Sequence, residues 1–223
     1  MMVECCDERS MLRTLVQCDF DGTITEGDVS SDILDVFARG DWRRLQRDYE
    51  ERRISVQELN TRAFAMVKAE ESALLKAMKG RVRVRDGFDE FVRYCGERDF
   101  RLVIVSNGLD FYISAILRNL GLESIEVFSA RATFRPEGVE VRYVGPDGQV
   151  LTDGFKEAYI RSFLEQGYRV IYMGNGESDA APARHAHHVF ATGKLLSYCG
   201  ENNLDCSPLV TFTDVVSEME LLQ

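Results

Sequence analysis

LVQCDFDGTITEGD, residues Leu15 to Asp28, is the stretch on which the fold turns. An uncharged run ends at Cys18, two carboxylates follow at Asp19 and Asp21, and Gly22 turns the chain at once. Two acids at the exit of a buried strand need a cation or a proton between them, because burial and mutual repulsion both disfavour a pair of charged carboxylates. The run therefore predicts a central strand over Thr14–Phe20 with chemistry at its carboxyl end.

Outward from that strand the pattern alternates. From 30 to 79 apolar residues recur at three- and four-residue spacing, which predicts helices throughout. Asp86–Arg98 predicts an amphipathic helix, Arg101–Val105 a strand, and Phe111–Leu120 a helix stopped by Gly121. Ile125–Phe134 and Val139–Val144 read as strands joined like a hairpin, with a turn at 145–148. Phe155–Gln166 reads as a helix, Tyr168–Met173 and His188–Ala191 as strands, and Thr213–Leu221 as a closing helix. Strand–helix alternation with short connections predicts an α/β fold with a doubly wound parallel sheet. Its core would comprise 11–29 and 80–223, and the all-helical 30–79 would be a small inserted cap.

Composition narrows the function. The chain has 223 residues and a net charge of −10, which speaks against nucleic acid as a partner, since phosphates are neutralised by clustered Lys and Arg. No apolar run approaches the ~18 residues that would span a bilayer, so no membrane role is expected. The opening MMVECCDERS lacks the basic flank and apolar stretch of a signal peptide. Cysteines stand at 5, 6, 18, 95, 199 and 206 with no CxxC pair, which predicts reduced thiols in a cytoplasmic protein. Cys5 and Cys6 fall in a tail expected to lack fixed structure.

Ligands of a doubly wound sheet bind beyond the carboxyl ends of its strands. Those ends carry Asp19 and Asp21, then Ser106, Asn107 and Gly108, then Gly174 to Asp179, while Lys156 opens the helix before the last of these. Singly, Ser106–Gly108 reads as a helix cap and Lys156 as a surface lysine. Their joint delivery to one edge points instead to phosphoryl transfer: a carboxylate can attack phosphorus if cations offset the repulsion, a second acid can serve the leaving group, and glycines let N–H groups approach phosphate. His185, His187 and His188 lead into a strand without spaced acid partners and read as structural. Arg43, Arg44, Arg47, Arg52 and Arg53 read mostly as a solvated face, with one of them a candidate for an anionic substrate. Phe37, Trp42 and Phe64 read as cap core.

DFDGT, VSNG, the downstream Lys156 and GNGESD together resemble the four motifs of the haloacid dehalogenase-like (HAD) superfamily. The resemblance implies that Asp19 is the nucleophile and Asp21 the general acid/base, its main-chain carbonyl also binding Mg²⁺. It implies phosphate binding by Ser106, with Asn107, Gly108 and Gly22 around it, and charge neutralisation by Lys156. Asp19, Asp21, Asn175 and Asp179 are the implied metal set, although Asn175 stands where such proteins usually carry Asp. Within the superfamily the chain resembles the phosphoserine phosphatase-like members. It resembles still more the methionine-salvage group that acts on 2-hydroxy-3-keto-5-methylthiopentenyl-1-phosphate, by DFDGTIT, Asp28, RRISVQE and LLSYCGENNLD. Asp28 is then a contact for a polar group of the substrate. A small phosphorylated metabolite is the expected partner, a phosphoserine-type phosphomonoester the alternative substrate, and a homodimer is left open. The amide at Asn175 also leaves open a non-catalytic phosphate-binding regulator.

Overall fold

The computed structural model describes residues 13–221, so Cys5 and Cys6 lie outside the described residues. At the centre is β1 (Thr14–Cys18), all five residues buried. A strand covered on both faces reads as a continuous apolar run, and TLVQC does so except at Thr14 and Gln17. β1 pairs in parallel with β2 (Arg101–Leu109) on one side and β6 (Arg169–Gly174) on the other. Beyond β2 come β3 (Glu126–Arg135), β4 (Gly138–Val144) and the short β5 (Val150–Leu151). Beyond β6 come β7 (His188–Ala191) and β8 (Cys206–Pro208), giving the order β5–β4–β3–β2–β1–β6–β7–β8. β1 is thus the switch point from which the chain winds both ways.

Six strands run parallel, but β3–β4 and β4–β5 pair antiparallel, so the sheet is mixed. The tight connection from Arg135 to Gly138 cannot hold the crossover a parallel pair needs. β2 also runs past Val105 to Leu109, and its pairing with β3 shifts register between those two residues. β5, β8 and the helix Gly193–Asn202 went unread in the sequence; two of the three are too short to show a period, and Cys206–Pro208 contains proline.

Between β1 and β2 stands a helical insert of α1 (Val29–Phe37), α2 (Trp42–Glu50), α3 (Val56–Phe64) and α4 (Glu71–Met78). The first three begin at side-chain caps: Asp28, Asp41 and Ser55 accept from the N–H of Ser31, Arg44 and Glu58. The buried faces of the four helices carry Leu34, Trp42, Leu45, Phe64 and Leu74. At the root of the insert the outgoing and returning chains pair, Glu26 N donating to Arg83 O at 3.0 Å and Arg85 N to Ile24 O at 2.8 Å. The remaining helices are α5 (Phe88–Glu97), α6 (Asp110–Leu120), α7 (Phe155–Glu165), α8 (Ala180–Ala183), α9 (Gly193–Asn202) and α10 (Phe212–Met219). Among the described residues no helix is long and apolar enough to cross a membrane.

Candidate active site

Asp19 leaves β1 with its N–H donated to Met173 O at 2.9 Å, which carries it out between the ends of β2 and β6. The residue is 5% exposed. Lys156, in the first turn of α7 and 3% exposed, places Nζ 2.8 Å from Asp19 Oδ1 and 2.6 Å from Asp179 Oδ1. Gln17 Nε2 donates to the Lys156 carbonyl at 3.0 Å. The polar residue in the middle of the central strand therefore ties down the helix start that carries the lysine.

Asp179 is saturated. Oδ1 also accepts from Tyr172 Oη at 2.6 Å, and Oδ2 accepts from the N–H groups of Asn175 and Gly176 at 2.9 and 2.8 Å. Four donors fill this fully buried carboxylate, through which Asp179 fixes the lysine and the turn at 175–176. Burial opposes its charge, but Lys156 and the hydrogen bonds outweigh that and hold its pKa below the usual carboxylate range. Burial would likewise discharge Lys156, yet Asp179 and Asp19 raise its pKa and keep it cationic. For Asp19 burial wins: its pKa is pushed up to about 6, with Lys156 pulling it down and Asp179 pushing it further up.

Asp21 is held by other partners. Oδ1 accepts from Val29 N at 3.0 Å, at the start of α1, and Oδ2 accepts from the Tyr112 hydroxyl. Tyr112 Oη in turn lies 2.8 Å from Ser30 Oγ. Burial, followed by the charge of Asp28, raises the Asp21 pKa well above the ordinary value, and the Tyr112 hydrogen bond opposes the rise. One acid thus sits against a cation and the other among neutral donors. Environments that separate two carboxyls in this way suit them to a nucleophile and a proton carrier.

Two glycines make the arrangement possible. A Cβ at Gly108 would lie 2.0 Å from Tyr112 Oη and 2.5 Å from Asp21 Oδ2. Gly22, at φ +74°, would bring a Cβ within 2.1 Å of Asn175 Nδ2. The Asn175 amide therefore lies against the turn after Asp21, with its Oδ1 3.4 Å from Thr23 Oγ1. Arg85 fixes that turn from behind, donating to the carbonyls of Thr23 and Gly22 at 2.8 and 3.0 Å. Asp19, Asp21, Ser106, Lys156 and Asn175 all line one cavity of about 210 Å³. Asp28 caps α1 and also reaches its wall.

A model of haloacid dehalogenase-like hydrolases matches residues 16–184. The chain belongs to this family. The 2-hydroxy-3-keto-5-methylthiopentenyl-1-phosphate phosphatase of Geobacillus kaustophilus (strain HTA426) is 32% identical to it over 211 residues, 92% of this chain and 95% of that protein. The protein of the same name from Bacillus pumilus (strain SAFR-032) is 27% identical over 217 residues, 96% and 94% of the two chains. Among solved structures, a phospho-aspartyl intermediate analogue of phosphoserine phosphatase superposes with a TM-score of 0.69 at 17% identity, covering 93% of this chain and 99% of that one. That likeness is one of fold. This HAD-like hydrolase is a phosphatase.

Several other sequence expectations can be located in the HAD-like fold. The three histidines do not gather: His185 Nε2 meets Glu157 Oε1 at 3.0 Å, and His188 Nε2 meets Ser207 Oγ at 3.1 Å. Among the described residues no group of three or more His, Cys, Asp or Glu could hold a metal. Arg43, Arg47 and Arg53 pair with insert acids, while Arg52 and Arg53 border a larger cleft of about 1160 Å³. Trp42 is buried in the insert and also walls the reaction cavity, so it serves both packing and site. Gln17, Arg85, Tyr112 and Tyr172 were not found from the sequence. Only Gln17 carried a signal, as a polar residue inside an apolar strand.

Proposed function

We propose that this phosphatase hydrolyses a small phosphorylated metabolite through an acyl phosphate on Asp19, and that 2-hydroxy-3-keto-5-methylthiopentenyl-1-phosphate is its substrate. The observation that carries the first part is the buried Asp19–Lys156 pair beside a separately tuned Asp21. The Asp19 carboxylate attacks phosphorus, an Asp19 O–P bond forms, and the bond from phosphorus to the substrate oxygen breaks. Asp21 gives its proton to that leaving oxygen. Asp21, now ionised, takes a proton from water as the water attacks phosphorus; the Asp19 O–P bond breaks and phosphate departs. Lys156 offsets the repulsion between carboxylate and phosphate throughout, and the Ser106 hydroxyl donates to a phosphate oxygen.

Mg²⁺ fits the residues present. One lysine is shared between two acids, Asp19 and Asp179, so the pair carries one more negative charge than the lysine offsets when both are ionised. The available donors are oxygens, which hard divalent cations prefer. The Asp19 carboxylate, the Asp21 main-chain carbonyl and Asn175 Oδ1 would hold the ion. When bound, it supplies positive charge against the phosphate and the nucleophile.

The substrate assignment has two supports. Relatives bearing that name are 27–32% identical across nearly the whole chain. The cavity's insert side carries apolar Leu34, Trp42, Val56 and Leu59 beside polar Gln46 and Glu50, and its cations are Lys156 and Lys194, the latter 3.3 Å from Glu177. The apolar residues suit the methylthio end of such a substrate. In this reading 30–79 is a cap that excludes water and sets specificity, and Asp28 meets a substrate hydroxyl. Comparison of kcat/KM for the methylthiopentenyl phosphate and phosphoserine tests it. Preference for phosphoserine would overturn the assignment.

A further inference from the structure

The carbonyl of Asn107 accepts two side-chain donors from different parts of the fold. Asn60 Nδ2, on α3 of the insert, lies 2.9 Å away, and Tyr143 Oη, on β4, lies 2.8 Å away. Asn60 Nδ2 is also 2.9 Å from Tyr143 Oη, so the three groups close a triangle. All three residues are buried. A buried carbonyl must find a donor, and the break in β2–β3 register between Val105 and Leu109 takes this one out of the ladder.

The consequence runs through one peptide plane. The bond from Asn107 to Gly108 is trans, so holding its carbonyl on one side holds its N–H on the other. That N–H donates to Ser106 Oγ at 3.0 Å. A hydroxyl that accepts from this direction keeps its own hydrogen for another acceptor. Ser106 lines the reaction cavity, where that acceptor would be the substrate.

We propose that Asn60 and Tyr143 are positioning residues that aim the Ser106 hydroxyl at the substrate phosphate, so that the phosphate site is complete only when α3 is seated. The proposal rests on the reading of Ser106 as a phosphate donor. It assigns the helical insert a part in phosphate binding as well as in specificity. Neither Asn60 nor Tyr143 touches the reacting atoms; both act through the 107–108 peptide.

The test measures inhibition by inorganic phosphate, together with kcat and KM for an aryl phosphate, in wild type, Tyr143→Phe, Asn60→Asp, Ser106→Ala and the Tyr143→Phe/Ser106→Ala double variant. Tyr143→Phe removes the donor and leaves the ring packed on Phe155, 5.2 Å between centroids. Phosphate inhibition should weaken about tenfold and KM should rise, with kcat changing less, as expected for a buried hydrogen bond to a binding element. Asn60→Asp should do the same. On the Ser106→Ala background, Tyr143→Phe should add no more than about twofold, because the two act in one chain. Unchanged phosphate inhibition in Tyr143→Phe, where Ser106→Ala is impaired, would overturn the proposal alone. An equal loss on both backgrounds would also overturn it, by showing an effect that bypasses Ser106. Unimpaired phosphate binding in Ser106→Ala would instead remove the underlying reading of Ser106, and the proposal with it.

Discussion

Lys156 Nζ lies 2.8 Å from Asp19 Oδ1, with both side chains nearly closed to solvent. Lysine so buried keeps its charge only beside acids, and the proposed nucleophile Asp19 would keep its reactivity only beside that charge. Lys156→Met should leave Asp19 and Asp179 buried without a cation. Removing one partner of a buried pair costs on the order of 3–5 kcal/mol, so the melting temperature should fall sharply. Activity measured below the new melting point should drop at least about 100-fold, because a protonated Asp19 is no nucleophile. A variant with wild-type turnover would refute the coupling.

Tyr112 has a different leverage. Its hydroxyl stabilises the charged form of Asp21 against the upward push of burial. Tyr112→Phe removes that opposition, so the Asp21 pKa should rise further. In the proposed mechanism the leaving-group step needs Asp21 protonated, and the alkaline limb of kcat/KM against pH should therefore move to higher pH. An unmoved alkaline limb would separate that limb from Asp21.

In the proposed site Asn175 would offer Mg²⁺ an amide oxygen where a carboxylate would add charge. Affinity for hard cations rises with the number of anionic ligands. Asn175→Asp should lower the Mg²⁺ concentration for half-maximal activity by about fivefold or more, the equivalent of ~1 kcal/mol. Titration of both proteins with Mg²⁺ checks it, and coincident curves would mean that Asn175 does not meet the ion.

The raised pKa of Asp19 has a signature in metal-free protein. A carboxyl whose folded pKa exceeds its unfolded value costs stability once both states are ionised, and nothing below the unfolded value. For Asp19 the folded value is about 6 against an ordinary 3.8, a cost of about 3 kcal/mol above that window. Asp19→Asn has no such cost. Its stability relative to wild type should thus grow as pH rises from about 4 to about 6 and level off above. Denaturant melts in a chelating buffer across that range measure the difference, and a flat difference would contradict the burial argument.

Much of this was legible in the sequence because it is written in local patterns. The apolar run into Asp19, the strand into Ser106 and the strand into Asn175 are contiguous signals, and the switch-point rule then gathers them at one edge. Lys156 was legible only as a lysine at a helix start; its burial between two acids is a tertiary fact. Tyr112, Arg85, Asn60 and Tyr143 left no local trace, since each lies far along the chain from the group it serves. Asp179 shows a second limit. Its presence in GNGESD is plain, but the four donors that occupy it come from folding.

The central claim is that Asp19 carries the phosphoryl group, and chemical trapping tests it most directly. The Asp21→Asn variant with Mg²⁺ and an aryl phosphate, a leaving group that needs little protonation, should form the acyl phosphate and hydrolyse it slowly. Quenching that mixture, reducing it with borohydride and mapping the peptides by mass spectrometry reads the result. Residue 19 should be recovered as homoserine, the reduction product of an aspartyl phosphate, and only when substrate is present. Product release accompanied by an unmodified Asp19, or by label on another residue, would contradict it.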